Sequence, residues 1–261
     1  GAFGPAAAVP TQAQWTAVVL PAMGPDNTAL AVANGSSAAF VAGIQAYEGA
    51  PSQGLGWLAS LAVGATVTTQ NFTHAATLGG TTAGVLAVNS AGVGAGRSTL
   101  GGDSVYHATR FDQAGTRAVD LGTLGGSVST AYAINDNGWL TGDSQISGNA
   151  SLHAFASDGA KMVDLGTLGG SYSRGQSINN NGVVAGAAQD SRGIFRPFVY
   201  RNGQMQDLGT LGGASGWAYG INNAGAVVGS AGLAQGGAHA ALFSGGTVRD
   251  LGTLGGRNSA A

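Results

Sequence analysis

Between residues 77 and 256, apolar and polar positions alternate in short runs, and each run stops at a Gly or an Asn-Gly pair. Ala131-Tyr132-Ala133-Ile134 is one such run, and Gly182-Val183-Val184-Ala185-Gly186 is another. A period of two bounded by turn residues marks short, half-buried strands rather than helices. The intervening Asn137-Gly138 and Asn181-Gly182 pairs suit a hairpin turn, since Asn and Gly tolerate the positive φ of type I′. A third strand is predicted at His153-Ala154-Phe155 and at Arg196-Pro197-Phe198-Val199-Tyr200. A turn at Asp158-Gly159 or Asn202-Gly203 leads to a fourth strand, which ends in Asp-Leu-Gly.

The same four-strand pattern recurs. Asp-Leu-Gly-Thr-Leu-Gly-Gly stands at Asp120–Gly126, Asp164–Gly170, Asp207–Gly213 and Asp250–Gly256, in steps of 44, 43 and 43 residues. Weaker copies occupy Ala76–Gly80 and Leu20–Gly24. Counted from the second Leu, position 10 holds Val88, Ile134, Ile178 and Ile221, and position 11 holds Asn89, Asn135, Asn179 and Asn222. Gly fills position 14 (Gly92, Gly138, Gly182, Gly225) and position 18 (Gly96, Gly142, Gly186, Gly229). Length changes fall only beyond this register, as expected of loops.

Two hairpins in about 43 residues match one blade of a β-propeller. The predicted fold is all-β, a single propeller domain of about six four-stranded blades. Units cover about 23–75, 78–121, 124–165, 168–208 and 211–251, and residues 254–261 with 1–20 would form a composite, irregular closing blade. A β-solenoid is the rival, but solenoid coils are usually shorter and need fewer hairpins.

Composition narrows the function. One lysine (Lys161) and one glutamate (Glu48) leave little to solvate helix faces, and a net charge of −2 with scattered arginines gives no footprint for nucleic acid. No apolar run is long enough for a transmembrane helix. The absence of cysteine removes disulfide and thiolate chemistry. This composition suits an exported bacterial protein, and Gly1 is compatible with a mature N-terminus left by signal cleavage.

With its Asp-Leu-Gly-Thr-Leu-Gly-Gly, Ile-Asn-x-x-Gly and His153-Ala154-Phe155 motifs, the chain resembles the HAF-repeat family of bacterial extracellular proteins. The partial forms His107-Ala108-Thr109 and His239-Ala240-Ala241 extend the likeness, and Arg196-Pro197-Phe198 departs from it. The resemblance implies an extracellular or cell-surface location, often as an autotransporter passenger, and implies no catalytic residue.

Candidate chemistry divides into repeated and unrepeated residues. Asp120, Asp164, Asp207 and Asp250 read as caps on the turn that follows them, and His107, His153 and His239 as structural hydrogen-bonding groups. No metal site or cofactor is expected; Asn135-Asp136-Asn137-Gly138 lacks the later ligands of a calcium loop. A unique site breaks a repeat, so weight falls on the varied segments between strands two and three. These carry or adjoin Arg97, Asp103, Asp143, Gln145, Asp190, Arg192 and Arg196, the candidate ligand-binding residues. Trp139, Trp217, Tyr132, Tyr172 and Tyr219 could stack on a sugar, or pack blade against blade. The function expected is a non-enzymatic binding or adhesion module with a glycan or surface-protein partner. Alternatives are a self-associating structural subunit of a surface filament or layer, and a hydrolase or lyase at the channel mouth.

Overall fold

The computed structural model describes residues 26–34, 38–47, 50–62 and 72–261. They form twenty strands, β1 to β20, and no helix among them is long and apolar enough to cross a membrane. Three four-stranded antiparallel sheets follow the repeat. The first holds β9 (Gly125–Ile134), β10 (Leu140–Ile146), β11 (Leu152–Ser157) and β12 (Met162–Asp164). The next holds β13 (Gly169–Ile178), β14 (Val184–Asp190), β15 (Phe195–Arg201) and β16 (Gln204–Asp207). The last holds β17 (Gly212–Ile221), β18 (Val227–Leu233), β19 (Ala238–Ser244) and β20 (Thr247–Asp250).

The unit before them, β5 (Gly79–Val88), β6 (Gly94–Leu100), β7 (Tyr106–Phe111) and β8 (Ala118–Asp120), has the same internal order. A single parallel pairing, Leu55 with Ala83, joins it to β1 (Asp26–Asn34), β2 (Ala38–Tyr47), β3 (Ala50–Ala62) and β4 (Phe72–His74). Residues 1–20, expected to contribute two strands to a closing blade, lie outside the described residues. Residues 254–261, expected to open a new unit, form no strand. Ser259 nevertheless makes the contacts that a first strand makes in other units. Its Oγ accepts the Ala240 N–H at 2.8 Å and donates to Gly252 O at 2.6 Å, as Ser129 does with Ala108 (2.8 Å) and Gly122 (2.6 Å).

The architecture is a β-propeller. The first strands β5, β9, β13 and β17 approach one another, and second and third strands pack on the next unit's first strand. First strands are therefore innermost. Each apolar cluster lies between successive sheets; one joins Ala95 and Ala108 to Ala131, Leu140 and Phe155, and the next joins Ala154 and Ala156 to Val184 and Phe198. Phe155 and Phe198, the aromatic residues of the third-strand motif, are fully buried. Where that position holds Thr109 or Ala241, Phe111 or Phe243 two residues along the same strand face fills the gap.

The recurrent phrase is the crossover between sheets. Asp120 Oδ1 accepts the Gly122 N–H at 2.7 Å, and Thr123 Oγ1 donates to Gly126 O at 2.8 Å. Gly125 has φ 102°, and a Cβ on Gly126 would fall 2.4 Å from Gln145 Cβ, so the Gly-Gly pair is required by both conformation and space.

Two expectations are corrected. The Asn137-Gly138 turn is not type I′, because only Gly138 (φ 81°) is left-handed. Asn135 O accepts the Gly138 N–H, and Asn135 Oδ1 accepts the Trp139 N–H, which holds a type I turn followed by a left-handed glycine. Second, strand two runs further than its glycine motif. Arg97, Asp143, Gln145 and Asp190 therefore lie on β6, β10 and β14, and the loops proper are only 101–105, 147–151, 191–194 and 234–237. Varied sequence marked strand positions facing non-equivalent neighbours, not irregular backbone.

Candidate functional site at the inner strands

Each complete sheet carries a β-bulge at one repeat position. The pairing of β9 with β10 steps from Ala131 to Ala133, skipping Tyr132; the corresponding skips are at Leu86, Gln176 and Tyr219. Opposite each bulge stands a position-18 glycine. A Cβ there would lie 1.8 Å from Gly84 O, 1.9 Å from Thr130 O, 1.9 Å from Arg174 O and 1.9 Å from Trp217 O. The carbonyl displaced by the extra residue occupies the space that a side chain would need. Bulges re-aim side chains, and here the bulged residue is turned out of the packed face: Ala131, Gly175 and Ala218 are buried, whereas Tyr132 and Gln176 are half-buried and Tyr219 is 41% exposed.

The residues around this bulge are the ones that break the repeat. Position 6 reads Gly84, Thr130, Arg174, Trp217; position 8 reads Leu86, Tyr132, Gln176, Tyr219; position 19 reads Arg97, Asp143, Ala187, Ser230. Across one junction they converge. Asp143, 4% exposed, takes the Arg174 Nε–H at 2.7 Å, and the Tyr132 hydroxyl stands 3.4 Å from the same Oδ2. The Arg174 guanidinium lies over the Tyr132 ring, 4.9 Å from its centre, and the exposed Arg97 lies over Tyr106 at 4.8 Å. Such stacking is a favourable cation–π arrangement. Burial pushes the Asp143 carboxyl above its ordinary value against the pull of Arg174, and burial together with Asp143 raises the Tyr132 phenol. Among the described residues Arg97 has no acid partner, so two arginines and one aspartate leave the cluster with one positive charge in excess.

The next junction is aromatic. Phe195 and Trp217 meet at 4.9 Å between ring centres, and the Tyr219 hydroxyl is 3.4 Å from Ser230 Oγ. Small Ala187 holds position 19 of the sheet that precedes Trp217, where Arg97 and Asp143 stand in the two earlier units.

The remaining candidates hold backbone instead of joining this cluster. Asp103 accepts from Thr81 N (2.7 Å) and from the Thr99 hydroxyl (2.6 Å). Gln145 Oε1 takes the Ser127 N–H at 3.3 Å. Asp190 pairs with Arg192 at 2.7 Å and caps its own turn through the Arg192 and Ile194 N–H groups. Arg196 binds Asp207 at 2.8 Å and Ala214 O at 2.6 Å.

The repeated acids and histidines, read separately from sequence, belong together. Nδ1 of His107, His153 and His239 lies 2.9, 2.9 and 3.0 Å from Asp120, Asp164 and Asp250, with Arg196–Asp207 as the fourth such pair. Each ties strand three to the end of strand four. Sequence reading missed Arg174, whose signal was one charged residue in a column otherwise holding Gly84, Thr130 and Trp217.

At the far ends of the inner strands an opening of about 410 Å³ is lined by Asn89, Asn135, Asn179, Asn222 and their neighbours. Here the side-chain amides step from unit to unit: Asn89 to Asn135 O (3.0 Å), Asn135 to Asn179 O (2.8 Å), Asn179 to Asn222 O (3.0 Å). A parallel series runs through Asp136 and Asn180, each accepting an N–H from the unit before, and bonds from Ser90 and Asn180 hold the Asp136 carboxyl below its ordinary value.

No family model matches the chain, and no curated protein matches it. Among solved structures it is similar to a protein designated TolB from Agrobacterium tumefaciens, with a TM-score of 0.59 and 11% identity over 87% of this chain and 81% of that one. It is also similar to a Mycobacterium tuberculosis puromycin-hydrolyzing peptidase, with a TM-score of 0.52 and 13% identity over 86% of this chain but 38% of that one. At these identities the likeness is one of fold: the chain is built as a β-propeller.

Proposed function

We propose that this propeller is a non-enzymatic binding module of the bacterial surface or exterior, with its ligand at the inner-strand cluster of Arg97, Tyr106, Tyr132, Asp143 and Arg174. One observation carries this reading. Residues that depart from the repeat are scattered in sequence, yet charged and aromatic ones gather on three successive sheets, with an aromatic pair at the next junction. A scaffold needs no such asymmetry, whereas a site on a regular fold does. The low charge, the absence of cysteine and the HAF-like repeats support export. The ligand is a glycan or a segment of a surface protein.

A hydrolytic reading has one observation in its favour, a buried carboxyl with raised pKa beside a phenol. Arg174 at 2.7 Å, however, uses that carboxyl as an ion-pair partner, an arrangement suited to holding charge rather than passing a proton. A glycan array and a pull-down from envelope extract test the binding reading. Retention by the wild-type chain and loss in Arg97→Ala is expected; no retained ligand in either format overturns it.

A further inference from the structure

We infer that the ligand is an acidic oligosaccharide, its carboxylate held by Arg97 and Arg174 and a sugar face laid against Trp217 and Tyr219. This rests on the binding reading above and names its ligand class. From sheet to sheet the repeat-breaking residues follow an order: Arg97 with Tyr106, Tyr132 with Asp143, Arg174 with Gln176, then Trp217 with Tyr219 and Ser230. Cationic groups come first, an amide next and flat aromatic faces last, so the surface is graded rather than uniform.

The cationic end has the means to bind an anion. Asp143 neutralises one of its two arginines and leaves the other unpaired among the described residues, with its guanidinium fixed over Tyr106. A guanidinium presents a planar fork of donors that matches a carboxylate. Arg174 spends only Nε on Asp143, and its side chain remains 37% exposed, so its terminal nitrogens are open to a second acceptor. The aromatic end suits a ring that is apolar on its face and polar at its rim. Phe195 leans on one face of Trp217, with ring centres 4.9 Å apart and planes 31° from parallel, which leaves the opposite face for a sugar, and the Tyr219 and Ser230 hydroxyls stand 3.4 Å apart. Gln176 stands between the two ends on its own bulge and supplies a donor and an acceptor for sugar hydroxyls. Arg174, Gln176, Trp217 and Tyr219 lie on the innermost strands and Arg97 on the second strand of its sheet, so the proposed ligand would run from sheet to sheet as an extended chain does.

The test is calorimetric titration of the full chain with three probes: short oligogalacturonates, the same chains as methyl esters, and neutral malto-oligosaccharides. The acid is expected to bind about tenfold or more tightly than its ester, with an affinity that falls as salt rises. Arg97→Ala should abolish that preference at unchanged melting temperature, while Trp217→Ala weakens acid and ester alike. Equal binding of all three probes, with Arg97→Ala silent, overturns the acidic class and the part given to Arg97 but leaves a glycan-binding module. Retention of a polypeptide lost in Arg97→Ala, with no sugar bound, overturns the glycan and keeps the binding reading. A chain that retains neither sugar nor polypeptide overturns both.

Discussion

Pro197 packs against Gly216 at a position where three other junctions carry a hydrogen bond. At those junctions Ala108, Ala154 and Ala240 donate their N–H to Ser129, Ser173 and Ser259. Proline has no N–H to give, and Gly216 has no hydroxyl to receive one. A Cβ on Gly216 would lie 3.1 Å from Pro197 Cδ and 2.9 Å from Ser230 O, so a serine would crowd the ring. Arg196 substitutes for the lost link by reaching Ala214 O at 2.6 Å. The departure from His-Ala-Phe is thus one coordinated change across two sheets. Pro197→Ala alone leaves a buried N–H without an acceptor and should cost about 1–2 kcal/mol; Gly216→Ser alone should cost a similar amount through crowding. The double variant should cost less than the sum by about 1 kcal/mol. Chemical denaturation of the four proteins measures this, and strict additivity would refute the coupling.

The position-18 glycines give a sharper prediction. In Gly142→Ala the new Cβ would meet Thr130 O at 1.9 Å, so the bulge that presents Tyr132 must be lost or displaced. A loss of about 3 kcal/mol or more is expected, along with disruption of the Tyr132–Asp143–Arg174 contacts. Gly101→Ala, whose nearest neighbour would be Gly79 O at 3.9 Å, is the control and should be neutral to within about 0.5 kcal/mol. Equal melting temperatures for the two variants would contradict the stated role of the glycine.

These cases show what the sequence could convey. The period, the four strands per unit and the terminal Asp of strand four were legible because alternation and turn residues act locally. The partnership of His153 with Asp164 was less visible, since both columns repeat and neither reveals what it touches. The bulge at Tyr132 leaves no mark of its own; its trace is the unexplained glycine opposite, Gly142. Arg97 and Asp143 stand out by their variability, but strand two continues past its glycine motif and carries them on β6 and β10, because pairing with the neighbouring strands does not depend on the side chains that vary. Arg174 lay outside the varied segments altogether, and only the juxtaposition of adjacent sheets brings it to Asp143.

The asparagine series should bear measurable load. Asn135 is buried; its Oδ1 caps its own turn through the Trp139 N–H, and its Nδ2 bridges to Asn179 O in the next sheet. Asn135→Ala abandons one buried and one half-buried backbone group, and a loss of about 1–3 kcal/mol is expected. Asn135→Asp keeps the acceptor but turns a carboxylate oxygen toward the Asn179 carbonyl, so it should rescue little near neutral pH. Urea unfolding of both variants decides the point, and an alanine variant within about 0.5 kcal/mol of wild type would remove the series from the forces holding adjacent sheets in register.

Acidification should strengthen the binding of an acidic oligosaccharide before weakening it. The groups facing Asp143 are Arg174 from β13, Tyr132 from β9 and Arg97 from β6. Burial raises the Asp143 carboxyl above its ordinary value against the pull of Arg174, whereas a uronate in solution keeps an ordinary one. As pH falls from neutrality, Asp143 is therefore the first of the two to take up a proton. Arg174 then loses its neutralising partner, and the excess positive charge at the site rises from one to two. Affinity climbs through this window and declines at lower pH, where the ligand itself is protonated. Asp143→Asn removes the titrating group: it should bind more tightly than wild type at neutral pH and show only the acid-side decline. Titrations across the range distinguish these profiles, and a wild-type affinity that falls monotonically from neutrality would exclude Asp143 as the group that tunes the site.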